Sequence, residues 1–394
     1  MSLLFHWRIS AEHMIKFLTS KTKTFGLDIS DLSLKIIQLK KKGKFLSLAS
    51  WGEKKIKPGI IEEGEIKNEE ALFESIKESL TQIKGEKLKT KNVIVSLPEK
   101  KAFLQVIKMP KMKEEELKMA VPFEAENYIP LPIEKVYLDF QIIPSVRGYS
   151  DKHLDVLIAA IPQKTVDPYV FCLKKAGLSP LVLEVESQSI SRALIKNGLS
   201  PFPVLLIDFG KSKTSFIIFS GYSLQFTSSI PISSQKLTEV ISQYLKIDLV
   251  EAEKIKLKYG LEIFSRQIAN KKKIIFKNRK EIDGKKISEA LIPVLTDLAE
   301  QIKRYLDYYQ THANNGHFLS KNERVKKVLL CGRGANLKGL TDFLSFELKI
   351  PVELGNPWVN ILPTSLREVP ELPFKESLGY TTALGLALRG IINE

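Results

Sequence analysis

Two stretches that lie far apart in the chain share a pattern that could bind phosphate. Residues 25–39 (FGLDISDLSLKIIQL) and 204–220 (VLLIDFGKSKTSFIIFS) each contain an apolar run ending in an aspartate, a polar turn and a second apolar run. This pattern predicts two β-hairpins with Asp28 and Asp208 at their bends. Such turns present several backbone N–H groups to one point, and an aspartate can hold the water ligands of a magnesium ion. Lys35 would return toward the first bend, where its ammonium could contact the phosphates.

A third segment, residues 325–348 (VKKVLLCGRGANLKGLTDFLSFEL), adds a glycine-rich loop to these hairpins. Its apolar run predicts a buried strand that leads through Gly332, Arg333 and Gly334 into a helix. Glycines in such a loop let a ligand approach the backbone at a helix N-terminus. Aspartate is also common in ordinary turns, and glycine in ordinary strand–helix connections. The order of hairpin, hairpin and glycine loop is less expected by chance than any one part, and it indicates a nucleotide site between two similar halves.

Length and composition indicate a globular chain with more than one domain. At 394 residues, with 44% apolar and 27% charged residues, the chain exceeds the size of a single hydrophobic core. Its two cysteines, Cys172 and Cys331, lie far apart with no Cys/His cluster nearby. This excludes a disulfide framework and a zinc site, and it is typical of a reducing cytoplasm.

The net charge of +15 raises the question of a nucleic-acid partner. Only ten of the sixty basic residues are arginine, the side chain whose planar donors suit base edges and phosphates. No motif that alternates basic and aromatic residues is visible, so we predict no nucleic-acid partner. A lysine excess fits an anionic membrane surface equally well, and it also fits a solvated surface without a partner.

The N-terminal segment, residues 1–24, has apolar residues at helical spacing with lysines nearby, which is typical of a helix lying on a bilayer surface. Charged residues and histidines interrupt the apolar run, so it predicts neither a signal-peptide core nor a membrane span. No transmembrane segment is predicted elsewhere. An alternative is that Met14 is the natural start and that residues 1–13 are an over-extended reading frame.

The later part of the chain is dominated by helical patterns. Residues 236–260 predict two helices, the second ended by Gly260, and residues 286–310 predict a longer amphipathic helix. Between them, residues 271–286 (KKKIIFKNRKEIDGKK) contain a short apolar run and an Asp-Gly pair, which predict an exposed hairpin.

A long stretch in the first half of the chain resembles a known family. Residues 121–143 (VPFEAENYIPLPIEKVYLDFQII) are similar, almost residue for residue, to the E-A-E-x-Y-I-P-x-P segment of the PilM family of type IV pilus assembly proteins. This family lies within the actin and heat-shock chaperone ATPase superfamily, with the cell-division protein FtsA as a nearer cousin. The resemblance runs from about Phe25 to Gly390 and includes GIIEEGEIKN at 59–68, NVIVSLP at 92–98, LGNPW at 354–358 and TTALGLALRG at 381–390.

The resemblance implies a two-lobed α/β fold of the actin-like, duplicated ribonuclease H-like type, with an inserted 1C module and ATP between the lobes. Within the insertion it implies helices at 113–128 and 164–176 and strands near 103–108, 136–143 and 154–161. The implied divisions are an N-terminal amphipathic extension 1–24, subdomain 1A in 25–101 and 180–202, subdomain 1C in 102–179, subdomain 2A in 203–245 and 324–394 with a C-terminal helix, and subdomain 2B in 246–323.

The resemblance also implies a set of site residues. The first phosphate loop would contain Asp28, Ser30 and Lys35, and the second Asp208, Gly210, Lys213 and Thr214, with Mg²⁺ held through water by Asp28 and Asp208. The adenosine would contact Glu253, Lys256, Gly332, Arg333 and Gly334. Glu186 lies where a water-activating residue is expected, with Glu184 and Gln188 as alternatives.

Three residues depart from the family pattern. Ser30 stands where the family usually has glycine, and Asp31 stands where it has a small residue, so the first loop is expected to be less open to phosphate. A second carboxylate near phosphates is unfavourable unless it turns away or meets magnesium. Arg333 replaces a usual glycine and could crowd the base or stack on it. We therefore expect weakened ATP binding and weak or no ATPase activity.

The function implied by the resemblance is a cytoplasmic, ATP-binding scaffold at the inner face of the cytoplasmic membrane. It would bind the N-terminal tail of a PilN-like membrane protein and contact other pilus platform and motor proteins. The alternatives are an ATP-hydrolysing or filament-forming protein of the cell-division or DNA-partition type, and a sugar kinase of the same fold. A sugar kinase would need a sugar-binding carboxylate in an interlobe pocket, and the E-A-E-x-Y-I-P-x-P segment argues against it.

Overall fold

The computed structural model describes residues 23–43, 45–144, 153–261, 273–275, 281–312, 324–362 and 370–392. The predicted amphipathic extension, and with it the question of Met14, lies outside the described residues except for its last two positions, Lys23 and Thr24. No helix within the described ranges is long and apolar enough to cross a bilayer.

The first lobe is built on a six-stranded mixed sheet with the strand order β11-β7-β1-β2-β3-β6. The strands are β1 (Phe25–Ser30), β2 (Ser33–Lys42), β3 (Phe45–Lys55), β6 (Lys84–Gly85), β7 (Asn92–Leu97) and β11 (Ser179–Val185). A short hairpin, β4 (Ile61–Glu62) and β5 (Glu65–Ile66), follows β3 and leads to helix α1 (Glu69–Thr81). Asn68 caps α1, because its Oδ1 accepts a hydrogen bond of 2.9 Å from the N–H of Ala71.

Successive side chains along the strands of the first lobe point to opposite faces, as in any pleated sheet. The inward side chains form one core. Phe25, Leu27 and Ile29 of β1 are buried in this core, together with Val93 and Val95 of β7. β1 runs parallel to β7 and antiparallel to β2, so the carboxyl ends of β1 and β7 meet at one edge of the sheet. The predicted phosphate loop begins at this edge.

A smaller sheet follows β7 in the chain and has its own core. Its strands, β8 (Phe103–Pro110), β9 (Val136–Ile142) and β10 (His153–Pro162), pair antiparallel in the order β8-β10-β9, and helix α2 (Glu114–Ala125) covers them. The strands and the first helix implied for the insertion are therefore present. Helix α3 (Gln163–Lys175) is present too, but Val166 and Tyr169 place it in the core of the first lobe.

The second lobe has a five-stranded sheet of similar design, with the order β14-β13-β12-β17-β18. Its strands are β12 (Ser200–Phe209), β13 (Thr214–Gly221), β14 (Ser223–Ile230), β17 (Lys327–Cys331) and β18 (Val352–Leu354). The helices packed on it are α5 (Ser234–Leu245), α6 (Leu249–Tyr259), α7 (Gly284–His312) and α8 (Leu340–Leu348). The helices predicted at 236–260 and 286–310 are confirmed, and α6 does end at Gly260.

Two details of the predicted hairpins are wrong. Asp28 and Asp208 lie within the strands β1 and β12, where they pair with Lys35 and Ser215, and the bends come two or more residues later. The hairpin predicted at 271–286 is present as β15 (Lys273–Ile275) and β16 (Glu281–Asp283), but Asp283 and Gly284 stand at the junction with α7 rather than at its turn. In each case the aspartate that looked like a turn former is itself part of a paired strand.

Two helices bring residues of both halves to the space between the sheets. Helix α4 (Glu186–Leu194) follows β11, and α10 (Thr381–Ile392) follows the short helix α9 (Phe374–Ser377). They cross closely because Gly385 has no Cβ, and a Cβ there would collide with the carbonyl oxygen of Ser189. Both helices begin at the same cleft.

Candidate functional site

A cleft of about 480 Å³ lies between the two sheets and receives side chains from both lobes. This size is within the range of small-molecule sites. Eleven of the residues predicted for the nucleotide site line it, namely Asp28, Ser30, Lys35, Glu186, Asp208, Gly210, Lys213, Glu253, Lys256, Gly332 and Arg333. Two further predicted residues, Thr214 and Gly334, lie outside this lining.

Asp28 and Lys35 form the centre of the first loop. They face each other across the β1–β2 hairpin, and the Nζ of Lys35 lies 3.3 Å from Oδ2 of Asp28. The other carboxylate oxygen of Asp28 accepts a hydrogen bond of 3.0 Å from the hydroxyl of Ser96 on β7. Asp28 is therefore held from two sides, and Lys35 is close enough to move from the carboxylate to a bound anion.

The two residues of the first loop that depart from the family pattern, Ser30 and Asp31, both form hydrogen bonds within the protein. The Ser30 hydroxyl donates a hydrogen bond of 2.9 Å to the carbonyl of Ser33, which closes the turn on itself. Asp31 accepts a hydrogen bond of 3.0 Å from the N–H of Gly64 and does not line the cleft. The Asp31 carboxylate therefore turns away, so the repulsion of phosphate that the sequence suggested is avoided at this residue.

The second loop connects β12 and β13 and carries Lys213 to the opposite lobe. The N–H of Gly210 donates to the carbonyl of Lys213 over 3.0 Å and closes the loop. The Nζ of Lys213 lies 2.7 Å from Oε2 of Glu186, at the start of α4. Thr214 is fully buried below this loop, where its hydroxyl donates to the carbonyl of Ile232. The loop thus presents a lysine rather than a hydroxyl to the cleft.

Of the three candidates for the water-activating residue, only Glu186 lines the cleft. Glu184 lies on β11, fully buried, and forms a two-point ion pair with Arg192, one of whose contacts is 2.8 Å. Gln188 is buried in α4, and its amide has no hydrogen-bond partner within the described ranges. Glu184 lies on the strand before α4 and Gln188 lies two residues after Glu186 in its first turn, so among the three side chains Glu186 alone reaches the cleft.

Two carboxyl groups of the cleft are easier to protonate than usual. Burial raises the pKa of Glu186 from 4.5 to about 7, with Lys213 opposing the shift and Asp28 adding to it. Burial also raises the pKa of Asp208 from 3.8 to about 6. Glu99 further orders Glu186, because its N–H donates to Glu186 Oε2 over 3.3 Å while its own carboxylate accepts from the N–H of Ser187 over 3.1 Å.

The raised pKa of Glu186 predicts a measurable pH dependence of stability. Because the folded pKa of about 7 exceeds the ordinary 4.5, this contribution is fully present below pH 4.5 and is lost as the pH rises through 7. We expect Glu186→Gln to gain stability relative to the wild type by about 3 kcal/mol between pH 4.5 and 8. Urea unfolding of both proteins across this range measures the difference, and a difference that does not change with pH would contradict the prediction.

The residues expected to contact adenosine from α6 are joined in a network of their own. The Lys256 ammonium is buried and donates to the carbonyl and hydroxyl of Ser234 over 2.7 and 2.8 Å and to the Thr238 hydroxyl over 2.7 Å. Glu253 accepts from Thr238 and lies 2.7 Å from Lys256 Nζ. Burial lowers the pKa of Lys256. Lys256 therefore fixes α5 against α6, and Glu253 is the more accessible of the two.

The glycine loop follows the predicted order, but its glycines have a packing role. A short 3-10 turn at 333–336 separates β17 from α8, so the helix begins later than expected. Gly332 has φ of +80°, and a Cβ there would collide with Asp208 and would lie 2.6 Å from the carbonyl oxygen of Phe209. Gly334 is likewise pressed against Phe209. Glycine is required here because the loop lies directly on β12.

Arg333 crosses the mouth of the cleft. Its guanidinium forms an ion pair with Glu53 of β3, in the opposite lobe. Its side chain also lies against Gly379, where an added Cβ would lie 2.6 Å from Arg333 Cγ. The arginine that departs from the family pattern thus connects the two lobes at the entrance instead of filling the interior.

The structure adds cleft residues that the sequence interpretation missed. Leu249 and Val250, in the first turn of α6, are exposed and line the cleft, and Thr381 and Thr382 line it from the start of α10. Two apolar residues directly after the capping Asp248 are a detectable signal, because a first turn usually carries polar residues. The two threonines precede an apolar helix and could have been recognised as its start.

The donor set fits magnesium and a nucleoside triphosphate. Lys35 and Lys213 could take phosphate oxygens, while Asp28 and Asp208 could hold the water ligands of a magnesium ion. No group of three His, Cys, Asp or Glu residues in the described ranges is placed to chelate a metal directly. The raised pKa values of Glu186 and Asp208 reflect buried negative charge that a divalent cation would offset.

Two lobes, each built on a sheet with a strand–aspartate–strand hairpin, and a cleft lined by both hairpins define an actin-like ATPase fold. Comparison with known proteins narrows this class. The family model described as type IV pilus assembly protein PilM matches residues 26–268, and the chain belongs to this family. A second family model, cell division protein FtsA, matches residues 205–385. The resemblance drawn from residues 121–143 is thereby confirmed.

Solved structures agree with this assignment. A PilM–PilN type IV pilus biogenesis complex has a TM-score of 0.73 and 27% sequence identity, and the match covers 94% of this chain and 99% of that one. MreB5 of Spiroplasma citri bound to ADP has a TM-score of 0.55 at 12% identity, covering 92% of this chain and 94% of that one. The second likeness shows the fold alone.

Curated relatives are more distant and are matched in part. FtsA of Buchnera aphidicola subsp. Baizongia pistaciae is 28% identical over 174 residues, which cover 41% of this chain and 39% of the relative. FtsA of Enterococcus hirae is 23% identical over 248 residues, covering 60% and 54%. The chain thus spans between about two fifths and about half of the length of these relatives.

Proposed function

We propose that this protein is a cytoplasmic ATP-binding scaffold of the type IV pilus assembly platform and that it captures the N-terminal tail of a PilN-like membrane protein. The observation that carries the nucleotide part is the ion pair of 2.7 Å between Lys213 of the second lobe and Glu186 of the first. A lysine held by a carboxylate in an open cleft, beside Lys35 and two aspartates, is ready to exchange that carboxylate for phosphate.

The nucleotide would act as a conformational ligand. Phosphate oxygens would compete with Glu186 for Lys213 and with Asp28 for Lys35, so binding would replace contacts that now join the lobes and the hairpin strands. A ligand shifts a conformational equilibrium only through its different affinities for the two states. Exchange of these ion pairs provides such a difference without hydrolysis, which agrees with a scaffold of weak or no ATPase activity.

Capture of a peptide tail is supported by exposed apolar side chains on α2, the helix that covers the smaller sheet, and just after it. Met119 and Phe123 stand one turn apart on α2 and are 67% and 74% exposed, and Tyr128 follows α2. Large apolar side chains on an otherwise charged helix favour contact with a partner. The fold matches that of a PilM–PilN complex, and we therefore propose that the partner is a peptide from a membrane protein of the PilN type.

The experiment that tests the proposal is a calorimetric titration of the purified chain with Mg·ATP and then with a synthetic PilN-type tail. We expect saturable binding of both, and ATP at one hundred times its dissociation constant should stabilise the fold by about 2.7 kcal/mol. Phe123→Asp should weaken binding of the tail by at least about tenfold and leave ATP binding intact, since Phe123 is not among the residues that line the cleft.

The control for that variant is Phe346→Asp on α8, since Phe346 is an exposed phenylalanine, 61% accessible, in the other lobe. Absence of ATP binding would leave a nucleotide-independent scaffold, and absence of tail binding would remove the capture function. Release of phosphate at a rate that depends on Glu186 would favour the alternative, an ATP-hydrolysing protein, because Glu186 lines the cleft and is the candidate for the residue that orients water.

The proposed location is the inner face of the cytoplasmic membrane, where the tail of a PilN-like protein would be available and where other pilus platform and motor proteins act. Peripheral contact with the membrane is part of this proposal.

A further inference from the structure

One edge of the first lobe carries a dense group of lysines. These are exposed residues from the start of the described chain, the end of β2, and β6 with the loop after it, namely Lys23, Lys40, Lys41, Lys42, Lys84, Lys87, Lys89 and Lys91. We call this group the lysine edge. Glu86 is the only acidic residue between 84 and 91, and 40–42 contains none. The local balance of charge is therefore strongly positive.

The three segments of the lysine edge lie on one surface. β3 pairs with β2 on one side and with β6 on the other, which places Lys84 opposite Trp51. The carboxylate of Glu86 accepts a hydrogen bond from Lys40 across this edge. The pKa of Glu86 is lowered first by that bond and the charge of Lys40 and further by the charges of Lys89 and Lys23. Lysines that are distant in sequence therefore surround the same carboxylate.

The lysine edge borders an apolar groove. A cavity of about 1030 Å³ is lined by Lys40, Lys41 and Lys42 together with Leu46, Leu48 and Trp51. Phe45, at the end of the β2–β3 hairpin, also lines it and is 47% exposed. Basic side chains around an apolar floor match the two layers of a lipid surface, anionic headgroups above hydrocarbon.

The chain also reaches this edge from the segment whose sequence predicts a surface-binding helix. The carbonyl of Lys23 accepts a hydrogen bond of 2.7 Å from Thr90, in the lysine-rich loop. The carbonyl of Thr24 accepts one of 3.5 Å from Gln38, two residues before Lys40. The amphipathic pattern of residues 1–24 therefore leads directly into the lysine edge.

We propose that the lysine edge is a docking surface for an anionic lipid bilayer. The inference builds on the proposed location at the inner membrane face and assigns the contact to named residues. A lipid surface is favoured over nucleic acid because none of the eight cations is arginine and because the lysines border an apolar groove. The surface would hold the first lobe against the membrane while its lysines, none of which lines the cleft, leave the nucleotide site open.

The test is co-sedimentation of the full chain with vesicles of phosphatidylcholine alone and of phosphatidylcholine mixed with phosphatidylglycerol. We expect binding to the mixed vesicles alone, released at high salt. The triple variant Lys87→Glu, Lys89→Glu and Lys91→Glu should reduce the affinity for the mixed vesicles by on the order of a hundredfold, since each lysine near an anionic surface raises that affinity by a similar factor. The matched control, which replaces three exposed lysines on other elements, is Lys164→Glu, Lys196→Glu and Lys236→Glu.

The outcomes separate this inference from the proposed function. Full binding by the triple variant, or equal losses in both triple variants, would overturn the assignment of the surface. Binding of a DNA or RNA duplex that the triple variant loses, with no binding to vesicles, would identify nucleic acid as the partner and overturn the lipid proposal. ATP and tail titrations of the triple variant should match the wild type, so failure of either function is recognised independently.

Discussion

Lys213→Gln should lower the affinity for Mg·ATP by about one to two orders of magnitude, whereas Glu186→Gln should raise it. A hydrogen bond to a charged group is worth about 1.5–3 kcal/mol, and glutamine at position 213 cannot donate with a full charge. In Glu186→Gln the partner 2.7 Å from Lys213 loses its charge, so the ammonium is free to bind phosphate and the repulsion between carboxylate and phosphate disappears. Calorimetric titration of the two variants measures both effects.

The two variants are informative as a pair because they are expected to change the affinity for Mg·ATP in opposite directions. Lys236→Gln, an exposed lysine of α5 outside the cleft lining, removes the same charge and controls for the overall field of the protein. Affinities of Lys213→Gln within threefold of the control would show that phosphate does not reach Lys213. A lower affinity of Glu186→Gln would show instead that the carboxylate helps binding, as expected if it held magnesium.

The sequence predicts the two hairpins because local pattern determines antiparallel pairing between neighbouring strands. Apolar runs on each side of a polar turn specify antiparallel pairing, and the separation of seven positions from Asp28 to Lys35 brings these two side chains opposite each other. The position of helix α3 was not predictable in this way. Helical spacing shows that Val166 and Tyr169 are buried, but the choice between two neighbouring cores depends on contacts with α1, which is distant in sequence.

The candidate site was predictable in its residues and not in their contacts. Eleven of thirteen predicted residues line one cleft. The two aspartates, Lys35 and the glycine loop were indicated by local pattern, and the others were implied by the family resemblance. The direction of the Asp31 side chain depends on the N–H of Gly64, and the ion pair of Arg333 depends on Glu53 in the opposite lobe. Both partners are far away in sequence, so a residue that looks harmful to phosphate binding can have a structural role instead.

Arg192→Ala should reduce the free energy of unfolding by about 3–5 kcal/mol, the largest single effect expected on stability. Arg192 donates hydrogen bonds to both carboxylate oxygens of Glu184, which is fully buried on β11. It also donates a hydrogen bond of 3.0 Å to the carbonyl of Gly385 on α10. Removing the guanidinium leaves a buried charge and a helix carbonyl without their donor. Urea unfolding measures the loss.

The double variant Glu184→Leu, Arg192→Met tests why Arg192→Ala loses stability. The loss arises either because the buried charge of Glu184 lacks its counter-charge or because packing around Arg192 is lost. Because a buried ion pair can be replaced by apolar residues at small cost, this variant should recover most of the stability that Arg192→Ala loses. It would not restore the contact with Gly385, where α10 crosses α4 just above the cleft. ATP affinity should therefore fall in both variants if that crossing holds Thr381 and Thr382 in the cleft lining, and a normal affinity in the double variant would show that the helices hold their position by packing alone.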